Sequence, residues 1–241
     1  TDRSRGLGDV YKRQVYPRRC PVCDQVLPPG GTMVCPGCLE KLQVREGFHC
    51  KKCGKFILQE EKEFCDDCLH TRHSFEEGYG IFPYSGWAQR SMVRFKFHGR
   101  AEYGVFYGKM MAYAAQRTLT RWDPQVILPV PMYRKKEKKR GYNQAAILAR
   151  ETGKCLHIPV RGALVRRIRD TKPQKDMTLQ MRRKNLKGAF AVSPEAAGYE
   201  RILLIDDIYT TGATLERAAK MLRIAGAQNV YFLTVSIGQG I

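Results

Sequence analysis

The sequence lacks long apolar runs and is poor in acidic residues. No stretch approaches the roughly 18 uninterrupted apolar residues that a membrane-spanning helix requires, and no charged-then-apolar leader opens the chain. We therefore expect a cytoplasmic protein without membrane insertion. With 43% hydrophobic residues over 241 positions, the chain has enough apolar content for one large or two modest domains.

The opening residues resemble a cloning remnant more than a protein segment. Residues 9–14 read Asp-Val-Tyr-Lys-Arg-Gln, the translation expected for the end of a transposon used in preparing sequencing libraries. We predict that residues 1–14 are a non-native scar, and we leave them out of fold reasoning.

The shortage of acidic residues gives a strong positive charge. The chain has 42 Lys and Arg against 23 Asp and Glu, a formal charge of +19, and the residues after 75 carry +16 of it. Two segments concentrate the charge, residues 134–140 and 161–187. Such density indicates a polyanionic partner, either phosphorylated small molecules or nucleic acid, although a solvated basic face would also account for it.

Eight of the nine cysteines form four Cys-x-x-Cys pairs, and the second half of the pattern repeats the first after thirty residues. The pairs are Cys20/Cys23, Cys35/Cys38, Cys50/Cys53 and Cys65/Cys68. Two such pairs supply the four thiolates that structural Zn²⁺ prefers. About fifty residues with few large apolar side chains need metal ligation to fold. The sequence therefore predicts two structural zinc sites.

Disulfides are disfavoured without a secretory signal, and a redox dithiol would need only one pair. Sequential sites, each built from two neighbouring pairs, fit the tandem repeat better than crossed sites, but the pattern leaves the pairing open. The ninth cysteine, Cys155, lies in an apolar context, and we expect it to be a buried core residue.

A buried strand followed by an acidic, hydroxyl-rich turn is the most specific signal in the second part of the chain. Residues 201–205 form a short continuous apolar run. The turn that follows consists of Asp206, Asp207, Ile208, Tyr209, Thr210, Thr211, Gly212, Ala213 and Thr214. It opens a helix with Leu215, Ala218, Ala219 and Leu222 on one face. Backbone N–H groups at such a turn favour an anion, and the two aspartates suit a ribose diol, Mg²⁺ or both.

Residues 202–214 resemble the 5-phosphoribosyl-1-pyrophosphate (PRPP) motif of the phosphoribosyltransferases. The resemblance implies that Asp206 and Asp207 contact the ribose 2′ and 3′ hydroxyls, and that residues 209–214 wrap the 5′-phosphate. A second buried strand, residues 126–131, ends in a loop before the basic run. In the family the equivalent loop binds pyrophosphate, which here implies Arg134, Lys135, Lys138 and Arg140. Residues 141–144 open a further helix, and residues 229–237 read as a last strand.

Four parts of the chain together resemble the ComF family. They are the cysteine module, the segment Arg140-Gly141-Tyr142-Asn143-Gln144-Ala145, the segment from Thr171 to Phe190 and the acidic turn. The resemblance implies a double zinc ribbon at 15–72 and a type I phosphoribosyltransferase-like α/β domain at 73–241, with a parallel sheet of about five strands. Family members include competence proteins linked to the uptake of single-stranded DNA. Tyr142 stands where the family usually has Phe, and Lys139 where an acidic residue is common.

Phosphoribosyl transfer mainly requires stabilisation of the departing pyrophosphate, which Mg²⁺ and cationic side chains supply. We expect Asp206, Asp207 and Arg140 to be catalytic. A polar, basic stretch, residues 166–185, suits a mobile loop that closes over the site, and its candidate residues are Arg169, Lys172, Gln174 and Arg182. We also expect the zinc module or residues 75–100 to cover the site.

Two alternatives to an enzyme with an unknown acceptor stay open. In the first, the PRPP site serves sensing or anchoring while the basic face binds single-stranded DNA, with the aromatics Trp87, Phe95, Phe97 and Tyr103 interleaved among cations. The helical spacing of Met92, Phe95 and Tyr103 nevertheless favours core positions for these three residues. In the second, the ribbons dock a helicase-like partner of the competence machinery.

Overall fold

The computed structural model describes residues 17–42, 47–57, 59–169 and 188–238. The helices are α1 (Pro36–Leu39), α2 (Asp66–His70), α3 (Gly86–Phe97), α4 (Tyr103–Ala114), α5 (Gln116–Trp122), α6 (Arg134–Arg140), α7 (Gln144–Leu156) and α8 (Ala213–Ile224). The strands are β1 (Phe48–His49), β2 (Phe56–Ile57), β3 (Gly78–Pro83), β4 (Val126–Pro129), β5 (Val165–Arg167), β6 (Phe190–Val192), β7 (Arg201–Tyr209) and β8 (Asn229–Ile237).

A four-stranded parallel sheet in the order β3-β8-β7-β4 forms the centre of the molecule. Its strands read as nearly continuous apolar runs because helices and the ribbons cover both faces. We expected about five strands. A single parallel bridge between Ile127 and Val160 stands beyond β4 in the described part of the chain, so the fifth position is held by one residue pair.

The side chains of the sheet alternate between two cores. On one face Leu128, Leu204 and Phe232 pack with α8 and with the second ribbon's cysteines. On the other face Ile127 and Leu203 pack with α3, α4, α7 and the first ribbon's cysteines. The two halves of the cysteine repeat are therefore continuous with opposite sides of the α/β domain.

The helix predicted after the acidic turn and the helix predicted after the basic run both form. The four apolar residues predicted for one face of α8 are buried, and Gly226 with φ +112° follows the helix end. Helix α7 begins after Asn143, whose side chain accepts a hydrogen bond from the Ala145 amide at 3.1 Å. This is an ordinary N-cap, which satisfies one amide that the helix itself leaves without an acceptor.

Two expectations need correction. Strand β7 runs to Tyr209, four residues beyond the apolar run, because β8 pairs with it along that extra length. The basic run, for which no secondary structure was predicted, forms helix α6. Cys155 is exposed, in the last turn of α7, one residue before the helix ends at Leu156.

Among the described residues, no helix has the length and apolar character needed to cross a membrane. The segment predicted as a scar, residues 1–14, lies outside them. The domain limits 15–72 and 73–241 stay predictions.

Candidate active site

The acidic pair lies where the sheet opens. Strand β4 stops at Pro129, opposite Ile205, whereas β8 continues beside β7 through Asp206 to Tyr209. The β4 side of β7 is thus free of strand pairing from Asp206 onward, and this crevice at the carboxyl ends of parallel strands is where α/β sheets bind ligands. Asp207 is buried and Asp206 half-buried, and the Asp207 amide donates to Asp206 Oδ1 at 2.8 Å.

The two carboxylates share one sheltered position, and their electrostatics reflect it. Burial, and next the neighbouring charge of Asp207, raise the pKa of Asp206 to about 7, although Lys96 and Arg167 act in the opposite direction. Lys96 Nζ lies 2.9 Å from Asp207 Oδ1. A pair of carboxylates held in this way can accept hydrogen bonds from a diol or ligate a hard cation such as Mg²⁺.

The turn after β7 presents main-chain amides at the start of α8. Gly212 has φ +70° and occupies the N-cap position, and the helix begins at Ala213. Thr210 is exposed, Thr211 and Thr214 are half-buried, and Ala213 is buried. The first-turn amides of a 12-residue helix have no acceptor within the helix, so they favour an anion at this point.

Tyr209 differs from the other residues of the turn. Its ring is fully buried and stacks on Phe232 at 4.7 Å between centroids. Lys55 of the second ribbon lies 5.7 Å from the same ring. The side chain is therefore a core anchor, and the phosphate contact predicted for Tyr209 stays a prediction for its main chain alone.

Helix α6 follows β4 and so stands at the same edge of the sheet as the acidic pair. Arg134 and Lys135 are exposed. Arg140 is half-buried, donates to Gln144 Oε1 at 2.7 Å and places its guanidinium 5.0 Å from the Phe97 ring centroid. The predicted pyrophosphate-binding cations thus project from a short helix, and their roles stay predictions.

The residues after α6 fix this helix to its neighbours. The Asn143 side chain donates to the Val130 carbonyl at 3.2 Å, just beyond β4. The Tyr142 hydroxyl donates to the Phe95 carbonyl in α3. The segment that carries the family resemblance therefore positions α3, β4 and α6 against one another.

Residues 75–100 contribute to the site one residue that sequence reasoning missed, whereas the covering role predicted for this segment or for the zinc module stays a prediction. Lys96 of α3 pairs with Asp207, and helical periodicity alone gives no signal for this contact. Met92, Phe95 and Tyr103 are core residues as predicted, whereas Phe97 is 65% exposed. Trp87 is half-buried and its indole donates to the Lys41 carbonyl at 2.9 Å.

The residues directly after the second ribbon contact the helix that follows the phosphate turn. Glu216 of α8 accepts hydrogen bonds from the Ser74 hydroxyl at 2.7 Å and the Ser74 amide at 2.9 Å, and its Oε2 lies 3.2 Å from His73 Nδ1. Burial by itself raises the pKa of Glu216, but the hydrogen bonds from His73 and Ser74 outweigh it, so the pKa is lowered. No feature of the sequence indicated this connection.

The predicted mobile loop emerges from a short antiparallel hairpin. Strands β5 and β6 are antiparallel, with Val165 opposite Val192 and Arg167 opposite Phe190. The loop residues Lys172, Gln174 and Arg182 lie outside the described residues. Arg169, at the end of the described part, is exposed. The roles of these four residues stay predictions.

The cysteines form two four-sulfur groups, Cys20/Cys23/Cys35/Cys38 and Cys50/Cys53/Cys65/Cys68, with the ligand atoms of each group within 4.8 Å of one another. The pairing is sequential, as the tandem repeat favoured. The sulfurs of Cys23 and Cys35 lie 3.6 Å apart, as do those of Cys53 and Cys65. These distances are too long for a disulfide and close to the roughly 3.8 Å edge of a tetrahedron with 2.3 Å Zn–S bonds.

The double zinc ribbon domain family matches residues 12–69. Competence protein F of Haemophilus influenzae is 34% identical over 221 residues, which cover 88% of this chain and 93% of that protein. The chain belongs to the ComF family.

Other relatives of this ComF-family chain span most of its length. Competence protein ComFC of Bacillus subtilis is 30% identical over 199 residues, 78% of this chain and 77% of that protein. The DNA utilization protein YhgH of Escherichia coli K12 is 25% identical over 217 residues, 89% of this chain and 94% of that protein. Of these three relatives, two are named for competence and one for DNA utilization.

Solved structures resemble this ComF-family chain over about half its length. The glutamine PRPP amidotransferase of Bacillus subtilis superposes with a TM-score of 0.37 at 18% identity, covering 54% of this chain and 25% of that one. A purine phosphoribosyltransferase of Pyrococcus horikoshii gives a TM-score of 0.36 at 13% identity, covering 55% and 74%. The parallel sheet, the ribbon match and the family membership confirm the predicted fold class, a phosphoribosyltransferase-like α/β domain with a small zinc-ribbon module.

Proposed function

We propose that this ComF-family chain binds PRPP with Mg²⁺ at the carboxyl edge of its sheet and transfers the phosphoribosyl group to a nitrogen acceptor, in the cytoplasm, in DNA uptake or nucleotide-related metabolism. One observation carries the proposal. The acidic pair Asp206–Asp207, the glycine turn and the first amides of α8 follow one another without interruption, beside an opening where β4 has already ended.

Each part of this arrangement fits one part of the ligand. Carboxylates accept hydrogen bonds from the two ribose hydroxyls, and the amides at residues 212–214 with the nearby threonine hydroxyls donate to the 5′-phosphate. The exposed cations of α6, Arg134 and Lys135 with the half-buried Arg140, stand at the same edge of the sheet and suit the pyrophosphate. The names of the relatives support a setting in competence or DNA use.

The chemical step needs little covalent participation from the protein. As pyrophosphate leaves C1 of the ribose, charge develops on its oxygens, and Arg140 with its neighbours would stabilise that charge electrostatically. Mg²⁺ ligated by the acidic pair would supply further charge stabilisation for the leaving group. Asp206 and Asp207 hold the ribose so that C1 faces the acceptor, which is a gain from orientation.

Isothermal titration of PRPP in the presence of Mg²⁺ tests the proposal. Asp207→Asn keeps the shape of the side chain but removes its charge, and we expect about a 10- to 100-fold loss of affinity because a charged hydrogen-bond acceptor is lost. Glu195→Gln removes an exposed carboxylate in the short 3-10 helix Pro194–Gly198 before β7; it is the control and should bind like the wild type. Wild-type protein that shows no heat of PRPP binding would contradict the proposal.

A second candidate function is binding of single-stranded DNA on the same basic face. Phe97 is 65% exposed and lies beside Arg140 and the cations of α6, an arrangement that suits base stacking next to a phosphate-binding surface. Anisotropy with a labelled oligonucleotide should show an affinity that falls steeply with salt. Phe97→Ala should weaken binding by about 1–3 kcal/mol, and an equal affinity for both proteins would exclude the stacking role.

A further inference from the structure

The last turn of α3 contacts both halves of the candidate site through three consecutive residues. Phe95 offers its carbonyl to the Tyr142 hydroxyl, Lys96 places its Nζ 2.9 Å from Asp207 Oδ1, and the Phe97 ring lies 5.0 Å below the Arg140 guanidinium. One helical turn thus joins the acidic pair to the segment that ends the basic helix.

The position of Lys96 is fixed by its neighbour in the chain. Phe95 is fully buried, with its ring 5.9 Å from that of Tyr107 and 6.0 Å from that of Tyr142. The backbone at Lys96 therefore cannot shift without disturbing the core. The side chains of Lys96 and Asp207 are 22% and 11% exposed, so water screens this ion pair less than a surface pair.

The charges around the acidic pair decide what can enter. The two carboxylates face Lys96 from α3 and the charge of Arg167 from β5. A divalent cation that approaches Asp207 meets the ammonium of Lys96 within a few ångströms. Repulsion between a double and a single positive charge at about 5 Å weakens cation binding about tenfold even at the dielectric constant of water.

We propose that Lys96 is a binding residue of the pentose site and that it keeps the acidic pair available for PRPP bound together with a divalent cation. In the ligand-free protein its ammonium neutralises Asp207 and keeps a lone divalent cation out. The cation then enters only together with the diphosphate-bearing ligand, whose negative charge the ammonium offsets. This inference rests on the proposed PRPP site.

Two measurements on Lys96→Met test it, with Lys96→Arg as the conservative variant and Lys109→Met, an exposed lysine of α4, as the control. The first is Mn²⁺ binding without PRPP, followed by electron paramagnetic resonance. The second is calorimetric binding of PRPP with Mg²⁺. For Lys96→Met we expect Mn²⁺ to bind about tenfold more tightly and PRPP about tenfold more weakly. The Lys96→Arg and Lys109→Met variants should stay close to the wild type in both.

Opposite changes in the two affinities separate this role from damage to the fold, because a distorted pocket would weaken both ligands. Unchanged Mn²⁺ binding in Lys96→Met would overturn the inference, whatever PRPP does. Unchanged PRPP binding would overturn the part of it that concerns the ligand. Wild-type protein that binds no PRPP would overturn the proposed function instead. The Mn²⁺ comparison would still decide whether Lys96 weakens the binding of a divalent cation to the acidic pair.

Discussion

Gly212 offers the sharpest test of the phosphate turn, because its backbone and its surroundings both exclude a side chain. Its φ of +70° lies in the left-handed region. A Cβ at this position would lie 2.6 Å from Cε2 and Oη of Tyr209. The Tyr209 ring is fully buried and stacked on Phe232, so it has little room to move away.

The cost of Gly212→Ala follows from these two causes. A left-handed conformation costs an alanine about 1–2 kcal/mol. Overpacking against a fixed aromatic ring adds about 1–3 kcal/mol. Together they predict that the free energy of unfolding falls by about 2–5 kcal/mol, a large share of the roughly 5–15 kcal/mol typical of a folded domain.

Urea unfolding followed by tryptophan fluorescence measures the effect, and Gly198→Ala is the matched control. No heavy atom lies within 4 Å of a Cβ built at Gly198, and its φ is not in the left-handed region. We expect this control to change the free energy of unfolding by no more than about 0.5 kcal/mol.

A double-mutant cycle separates the two causes. In a Tyr209→Leu background the clashing ring is gone, so Gly212→Ala should cost only the backbone part, about 1–2 kcal/mol. If Gly212→Ala costs the same in both backgrounds, the ring contact is not the cause. A cost below about 1 kcal/mol in the wild-type background would refute the left-handed geometry as well.

Two further predictions concern the second ribbon and the residues directly after it. Glu216→Gln should lower the free energy of unfolding by about 1–3 kcal/mol at pH 7, because it weakens the bonds from Ser74 and His73. The pKa of Glu216 is lowered in the folded state, so this contribution is present above the pKa of the unfolded chain and is lost as pH falls through the folded pKa. Urea unfolding between pH 3 and 7 should therefore show the free energies of unfolding of the variant and the wild type converging in acid. A difference that stays constant with pH would contradict the assignment. Cys65→Ser should halve the zinc content measured by mass spectrometry. It should also lower the melting temperature of the whole protein, because this cysteine shares a core with Phe75. An unchanged melting temperature would show that the ribbon folds separately.

Much of the α/β domain could be predicted because its signals are local. Strand β8 has the predicted bounds, Asn229–Ile237, and the buried face of α8 matches its apolar spacing. A strand buried on both faces and a helix with one apolar stripe each leave a pattern within about ten residues. The cysteine repeat is equally local, since each knuckle needs only four residues, and the repeat favoured the sequential pairing that the structure shows.

The parts that could not be predicted depend on partners distant in the chain. Charged residues usually end a buried strand, yet Asp206 and Asp207 lie within β7. The pairing with β8 continues beside them, whereas the pairing with β4 ends at Ile205. Residues 134–140 carry no apolar periodicity, so nothing marks them as a helix before Gly141 closes it with φ +91°. The pair Lys96–Asp207 joins residues 111 positions apart, and no periodicity records such a contact.

The arrangement of the two ribbons has a consequence for the site that neither ribbon would have alone. Asp24 of the first ribbon accepts a hydrogen bond from the Tyr103 hydroxyl at 2.5 Å. It also forms an ion pair at 3.8 Å with Arg94, which lies on the same helix as Lys96. The second ribbon instead packs on Tyr209, directly before the phosphate turn. Loss of the first metal should therefore disturb the helix that faces the acidic pair, whereas loss of the second should disturb the turn itself. Because the two ribbons pack on opposite faces of the sheet, each metal is expected to matter for ligand binding as well as for the folding of its own ribbon.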